Sequence, residues 1–345
     1  MKSSVNSAWY TQRTPRLETA GWCFWFAVLI PFLWHTAAVA SADTEEDAGL
    51  FPPALLQWKP HSQNPIFVGG GPGAWDERIR ERGTILREGD TWHFWYTGYN
   101  LAQSDLRRLG YATSQDGIHW ERQSLEPLLK NEWVEDMHVV KHDGQYIMVA
   151  EGRGDIAHTL TSKDGIHWSG YRRLDVRKTN GQPIPDGPYG TPTLWYEDGL
   201  WYLFYERGDR GVWLATSRDR EVWTNVQDDP VISLGPAAYD RYAIALNQII
   251  KMNDRYYALY HANADPKWRG DWRMCLAVSD DLRHWKKCPQ NPILEGDYSS
   301  GQIVPDQGGY RLYTPHPQLR LFMPAIESES TGQTVNESFD AKDDQ

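Results

Sequence analysis

A seven-residue pattern repeats along this chain and constrains its fold more than any other feature. Ser114-Gln-Asp-Gly-Ile-His-Trp120 recurs as Ser162-Lys-Asp-Gly-Ile-His-Trp168. Weaker copies are Ser217-Arg-Asp-Arg-Glu-Val-Trp223 and Ser279-Asp-Asp-Leu-Arg-His-Trp285. Recurrence of this kind marks a fold assembled from repeated supersecondary units. Each copy follows a β-rich segment, such as Leu109-Gly-Tyr-Ala-Thr or Gly211-Val-Trp-Leu-Ala-Thr. The Asp-Gly step suits a turn because these residues tolerate positive φ, and the Trp opens the next strand.

A second signature follows the tryptophan. Trp120 is followed six residues later by Glu126-Pro-Leu-Leu, Trp223 by Asp229-Pro-Val-Ile and Trp285 by Asn291-Pro-Ile-Leu. Trp58 carries the same tail, Asn64-Pro-Ile-Phe, but no unit precedes it. Before each Trp motif lies a hairpin with an aromatic second strand: Trp92–Thr97, Tyr146–Glu151, Trp201–Glu206 and Tyr256–His261. A fifth such strand, Tyr310–Thr314, has no Trp motif after it. The orphan start and the orphan end complete one another. The expected fold is all-β, a five-bladed β-propeller over residues 51–326 closed by an N-terminal strand. Leu55 to Lys59 should pair with the strand around Leu319 to Met323. Closure of this kind protects sheet edges, and a β-sandwich does not account for the fivefold register.

The flanks read differently. Lys2, Arg13 and Arg16 precede an apolar run, Gly21 to Ala40, that ends in Ala38-Val-Ala40. This reads as a secretory signal over 1–40 with cleavage after Ala40, rather than a retained anchor. Residues 41–50 form a linker, and the acidic, aperiodic 327–345 a disordered tail. The expected location is secreted or periplasmic, with no stable membrane span after cleavage. In that compartment Cys275 and Cys288 invite a cross-strand disulfide, because pairing Val278 with Trp285 also pairs the two cysteines. A slipped register would instead make them two small core residues.

Composition narrows the function. The chain carries 18 Trp and 18 Tyr against 9 Phe, which suits strands and also surfaces that stack on sugars. A net charge of −11 argues against a nucleic-acid partner. Gly69-Gly-Gly-Pro-Gly73 precedes a strand rather than a helix, so it is not a phosphate loop. No metal motif of reliable spacing is present and no cofactor is expected; a central cation held by His261 or Asp136 is a separate hypothesis.

Chemistry should sit at one mouth of the channel, where inner strands begin and second strands end. The second strands end in Thr97, Glu151, Glu206 and His261. Inner strands begin with Glu135-Asp-Met-His138 and Gly190-Thr191. Alternation points Asp136 and His138 to one side and Glu135 to the other. Trp75-Asp76 lies nine residues ahead of Ile85, and Tyr239-Asp240 nine ahead of Ile249. These matched pairs are either structural turns or site carboxylates. Trp75 and Tyr242 are aromatics near strand starts.

The Trp75-Asp76 lead-in, the Trp92-His-Phe-Trp-Tyr-Thr-Gly98 strand, Val134-Glu-Asp-Met-His-Val139 and the Ser-x-Asp-Gly-x-x-Trp repeat resemble the five-bladed propeller glycosidases of families 43, 32, 117 and 130. The resemblance implies acidic side chains around the channel mouth. Where family 43-like enzymes place acids, this chain has Arg82 and Tyr189-Gly-Thr-Pro192. Glu135-Asp136 is similar to the Glu-Asp-Pro-Arg segment of the mannoside phosphorylase group, with Met137-His138 in place of Pro-Arg. The expectation is a secreted glycoside hydrolase acting on a poly- or oligosaccharide by carboxylate acid/base catalysis. Asp76 is the expected base and Glu206 the expected acid, with Asp136 and Asp240 orienting substrate or tuning the acid. Trp75, Glu135, His138, Glu151, Thr191, Tyr242 and His261 are the expected carbohydrate contacts. The alternatives are a non-catalytic carbohydrate-binding propeller and a glycoside phosphorylase, which would need a basic cluster for phosphate.

Overall fold

The computed structural model describes residues 49–294, 296–306 and 309–325, and the backbone of 335–336. The expected leader, most of the linker and nearly all of the tail lie outside them. Within the described residues the regular secondary structure is β apart from one 3₁₀ turn. No helix there is long and apolar enough to cross a membrane.

Aromatic and β-branched runs, punctuated by Gly and Asp turns, build five antiparallel sheets. The chain enters through a 3₁₀ turn, Pro53–Leu55, and then β1 (Trp58–Pro60). Blade one is β2 (Arg78–Glu88), β3 (Thr91–Tyr99), β4 (Arg108–Ser114) and β5 (Glu121–Arg122). Blade two is β6 (Glu135–His142), β7 (Gln145–Gly152), β8 (Ile156–Ser162) and β9 (Trp168–Arg173). Next, β10 (Asp175–Arg177) crosses to the following sheet and pairs in parallel with its outer strand. Blade three is β11 (Gly190–Glu197), β12 (Leu200–Glu206), β13 (Gly211–Ser217) and β14 (Val222–Asn225), with β15 (Ile232–Ser233) added beside β13. Blade four is β16 (Ala243–Met252), β17 (Arg255–Asn263), β18 (Trp272–Ser279) and β19 (Lys286–Lys287). Blade five is β20 (Gln302–Asp306), β21 (Gly309–Thr314) and β22 (Arg320–Pro324), completed by β1.

The ring closes on the last blade as the repeat predicts, but further along the chain than expected: Leu55 ends the 3₁₀ turn, and the paired strand is Trp58–Pro60. Trp58 pairs with Pro324, Lys59 with Met323 and Pro60 with Phe322. Phe67 then bridges to Leu319. Within the span read as a tail, β23 (Val335–Asn336) pairs with Met252 and Lys251 of β16.

Five apolar clusters fill the five seams between neighbouring blades. Trp95, Leu109 and Tyr111 of blade one meet Val139, Met148 and Leu160 of blade two, for example. Ile250, Leu259 and Leu276 of blade four meet Ile303, Leu312 and Phe322 of blade five. The Ser-x-Asp-Gly copies are self-capping turns that hold their Trp at a seam. In the first copy Ser114 Oγ accepts from Gly117 N at 2.9 Å, and Asp116 Oδ1 accepts from Ile118 N and His119 N at 2.8 Å. Gly117 and Gly165 are left-handed, and Arg220 and Leu282 adopt the same conformation in the weaker copies.

The cysteines do not form a disulfide. Both are free and buried. Strand β18 pairs Val278 with Lys286, one residue away from the register that would oppose the thiols. A one-residue slip sends side chains to opposite faces. Cys275 therefore packs in the seam between blades three and four, and Cys288 in the seam between blades four and five.

Candidate active site

The inner strands β2, β6, β11, β16 and β20 line the channel with edges that have no strand neighbour over most of their length. Buried backbone groups at such edges need partners. One equivalent side chain per blade supplies them. Thr84 Oγ1 donates to the Met137 carbonyl and accepts from Val139 N, both at 3.1 Å. His138 Nδ1 accepts from Leu194 N at 3.2 Å, and Thr193 Oγ1 donates to the Leu246 carbonyl at 3.5 Å. Gln248 clamps both backbone groups of Ile303, and Gln302 both of Ile85, at 2.7–2.9 Å. The circuit passes through all five blades.

Just ahead of these bridges the inner strands bulge. Register shifts fall between Arg80 and Thr84, Glu135 and His138, Gly190 and Thr193, and Leu246 and Gln248. Three non-glycine residues in the bulges are left-handed: Glu81 at φ 51°, Asp136 at φ 46° and Thr191 at φ 43°. Bulges re-aim side chains, and left-handed non-glycine residues persist only where their surroundings hold them.

All three line a cavity of ≈ 350 Å³ at this mouth. Its walls also carry Arg80, Glu135, Glu151, Asp155, Glu206, Asp209, His261, Trp268 and Trp272. Seven carboxylates thus face a single cationic side chain. Glu135 is ion-paired with Arg80, accepts from Trp133 Nε1 at 3.0 Å and lies 3.8 Å from Arg107. Glu151 Oε1 accepts from the backbone N–H and the hydroxyl of Thr191. Glu206 accepts from Gly190 N at 3.0 Å through Oε1 and from Asp209 N through Oε2. A Cβ at Gly190 would clash with Oε1 of both Glu151 and Glu206, so glycine lets the two carboxyls close over one point.

Burial and crowding hold protons on this cluster. Burial, then the charges of Glu81 and Glu135, push Asp136 well above the usual carboxylate range. Burial, then Asp136 and Glu206, do the same to Glu151. Burial and Asp209 push Glu206 up to about 8, against the pull of its backbone donors. Burial and Asp136 push Asp209 up to about 7. His261 is neutral: burial, helped by Arg82, brings it down to about 3. Its Nδ1 is 2.7 Å from Asn247 Oδ1, and its ring meets Trp272 edge to face with centroids 5.1 Å apart.

The structure gathers Asp136, Glu206, Glu135, Glu151, Thr191 and His261 in one cavity. It does not bring Asp76, Asp240, Trp75, Tyr242 or His138 there. Asp76 Oδ2 accepts from Tyr96 Oη at 2.8 Å and from Arg122 Nε on β5 at 2.7 Å. Asp240 pairs likewise with Lys287 on β19. The matched aromatic-Asp lead-ins are therefore latches from the inner end of a blade to its own outer strand. Trp75 stacks on Tyr96 with centroids 6.2 Å apart, and Tyr242 lies outside the cavity lining. His138 belongs to the bridging circuit. The bulge breaks the alternation expected for β6, so Glu135 and Asp136 both reach the cavity and His138 turns away.

Glu81, Asp155, Asp209, Trp268 and Trp272 escaped the sequence reading. One signal was available: Arg-Gly-Asp follows the strand-ending glutamate in Glu151-Gly-Arg-Gly-Asp155 and in Glu206-Arg-Gly-Asp209. Both aspartates are left-handed, at φ 57° and 56°. Among the described residues no group of three or more His, Cys, Asp or Glu side chains is arranged to hold a metal ion.

No protein-family model matches the chain. It is 24% identical over 293 residues to 1,2-beta-oligomannan phosphorylase of Thermoanaerobacter sp. (strain X514), covering 75% of this chain and 94% of that protein. A glycosyl hydrolase from Bacteroides ovatus superposes with a TM-score of 0.65 at 14% identity, over 79% of this chain and 94% of that one. A structure described under the GH130 family of mannoside phosphorylases, which contains glycoside hydrolases that target beta-1,2 mannosidic linkages in Candida mannan, superposes with a TM-score of 0.61 at 15% identity, over 79% and 95%. The chain thus shares the five-bladed propeller fold of carbohydrate-active proteins and resembles the propeller glycoside hydrolases and mannoside phosphorylases.

Proposed function

We propose that this protein is an exported glycoside hydrolase that cleaves a neutral oligosaccharide by carboxylate acid/base catalysis. One observation carries the reading: seven carboxylates and a single arginine line the cavity. Hydrolysis needs a proton donor for the leaving oxygen and a carboxylate that activates water. Phosphorolysis must hold an anionic phosphate beside the same carbon, and the one cation of the lining, Arg80, is already ion-paired with Glu135. The names of the relatives support a mannoside as substrate.

Asp136 is the proton donor in this reading. It is a buried carboxyl that burial, then the charges of Glu81 and Glu135, push well above the usual carboxylate range, the direction a proton donor needs. Glu206, with Glu151 beside it, takes the proton of the attacking water. Burial and Asp209 raise its carboxyl to about 8, so it serves as base toward alkaline pH, where it is ionised and its two backbone donors favour that form. This exchanges the role expected for Glu206 and removes Asp76 from the reaction. Trp268, half exposed at the rim, and Trp272 offer faces on which a pyranose ring stacks.

The test is a screen of the protein from residue 41 onward against mannosides, other oligosaccharides and aryl glycosides, with and without phosphate. Phosphate-independent release of free sugar supports the proposal. Sugar 1-phosphate formed only with phosphate establishes phosphorolysis instead, and binding without cleavage establishes a carbohydrate-binding propeller.

A further inference from the structure

Arg82 is 1% exposed and lies within the bulge of β2, on the channel axis. Its Nη1 donates to Thr193 Oγ1 at 2.6 Å and to the carbonyls of Leu246 and Asn247 at 3.0 Å. Its Nη2 donates to the carbonyls of Asp136 and Pro192. Oxygens from the inner strands of blades two, three and four thus converge on one planar cation. The Arg82 backbone N–H donates to Asp136 Oδ1 at 3.0 Å. One residue therefore holds both the backbone and the side chain of Asp136.

Burying a guanidinium is costly unless its donors are met. Here nearly all are met by carbonyls rather than by a carboxylate, although Nε has no partner among the described residues. The side chain therefore does more than neutralise a neighbour. Asp136 is left-handed at φ 46°, a conformation its strand would relax without support. The Asp136 carbonyl is tied to the guanidinium in that conformation.

We propose that Arg82 is a positioning residue: its guanidinium pins the bulge that presents Asp136 to the cavity, and supplies a buried positive charge beneath that carboxyl. The inference rests on the reading of Asp136 as proton donor. The other titratable groups facing this region are Arg80 and Glu81 on β2, Glu135 and His138 on β6, Glu151 on β7, Asp155 and Asp209 in the turns after β7 and β12, Glu206 on β12 and His261 on β17. Burial, Glu81 and Glu135 push the Asp136 carboxyl upward, and Arg82 opposes them. Removing its charge therefore moves the alkaline limb of the kcat profile, which reports loss of the acid's proton, to higher pH.

The experiment compares Arg82→Ala and Arg82→Lys with the parent, by thermal melting and by kcat and KM across pH. Arg82→Ala should lower kcat by about 10²-fold or more with a much smaller change in KM, because the carboxyl is misplaced rather than the sugar unbound. Its alkaline limb should shift upward. About 10 mM guanidinium should raise its Tm by filling the vacated site, while tetramethylammonium at equal ionic strength should not. Arg82→Lys keeps the charge and loses the fork, so its limb should stay near that of the parent while kcat falls. If Arg82→Ala does not fold, Arg82→Lys decides the matter. Parent-like kcat and pH profile in whichever variant folds would overturn the proposal and leave Arg82 as a brace. A parent protein inactive on every glycoside would defeat the hydrolase reading; the guanidinium effect on Tm would still report whether the axial site is built as described.

Discussion

The carboxylate of Asp76 lies 2.7 Å from Nε of Arg122, on the outermost strand of the same blade. It is buried, and it also receives the hydroxyl of Tyr96. Removing one partner of such a pair strands the other. Asp76→Ala should cost roughly 2–3 kcal/mol of stability, discounted because Arg122 is partly exposed. The kcat of the protein that remains folded should be unchanged. Denaturant unfolding read alongside activity checks this. A stable but inactive variant would return Asp76 to the reacting groups.

Asp136→Asn should lower turnover by about 10²–10⁴-fold on substrates with poor leaving groups. Activated aryl glycosides should lose far less, because their leaving group needs little protonation. Glu206→Gln should slow both classes alike, as expected of a water-activating carboxylate. The comparison needs one aryl glycoside series measured across the variants. Leaving-group dependence in Glu206→Gln, and none in Asp136→Asn, would exchange the two roles.

Stability should vary with pH in opposite senses at the two ends of the range. Glu206 is raised to about 8 in the folded protein, above its unfolded value of about 4.3. Its contribution is fully present below the unfolded pKa and is lost as pH rises through the folded one. Asp116, Asp164 and Asp281 are lowered in the Ser-x-Asp turns; Asp164 is held down by His167. Theirs is present above the unfolded aspartate pKa of about 3.9 and is lost as pH falls through the folded values. Melting curves against pH should show both declines. Glu206→Gln should flatten the alkaline one between about pH 4.3 and about 8, and leave the acid one alone.

Trp268 is 47% exposed, so Trp268→Ala should leave Tm unchanged. Loss of a stacking face worth about 0.5–1.5 kcal/mol should raise KM for an oligosaccharide roughly 3–10-fold. An aryl monoglycoside that does not reach the rim should be unaffected. Equal effects on both would place the platform nearer the cleaved bond.

The architecture was legible because repeats are written in sequence. Trp58 without a unit and Tyr310–Thr314 without a Trp motif sufficed to place the closure. The same alignment brought Glu151, Glu206 and His261 to one mouth. What failed was whatever depends on local backbone exceptions. Period-two alternation carries no information about the bulge at Asp136, so His138 was assigned to the cavity when it belongs to the circuit beneath. The aromatic-Asp pairs looked alike as turns or as site groups, and only Arg122 and Lys287 separate those meanings. Trp268 comes from the connection between β17 and β18, and Trp272 from the start of β18, ahead of the segment that the repeat aligns. The cysteines turned on one residue of register that no turn residue specifies.

The pairing of Trp58 with Pro324 imposes an order of events on synthesis. A chain emerging N-terminus first presents β1 long before its partner exists. The four strands of each of the first four blades come from contiguous sequence, but the fifth blade cannot be finished until residue 324 has been made. For that whole interval β1 is a strand without a neighbour. It is only three residues long and contains Lys59 and Pro60, and a proline offers no N–H to a foreign strand. The segment that must wait longest is therefore also a poor template for pairing with another nascent copy.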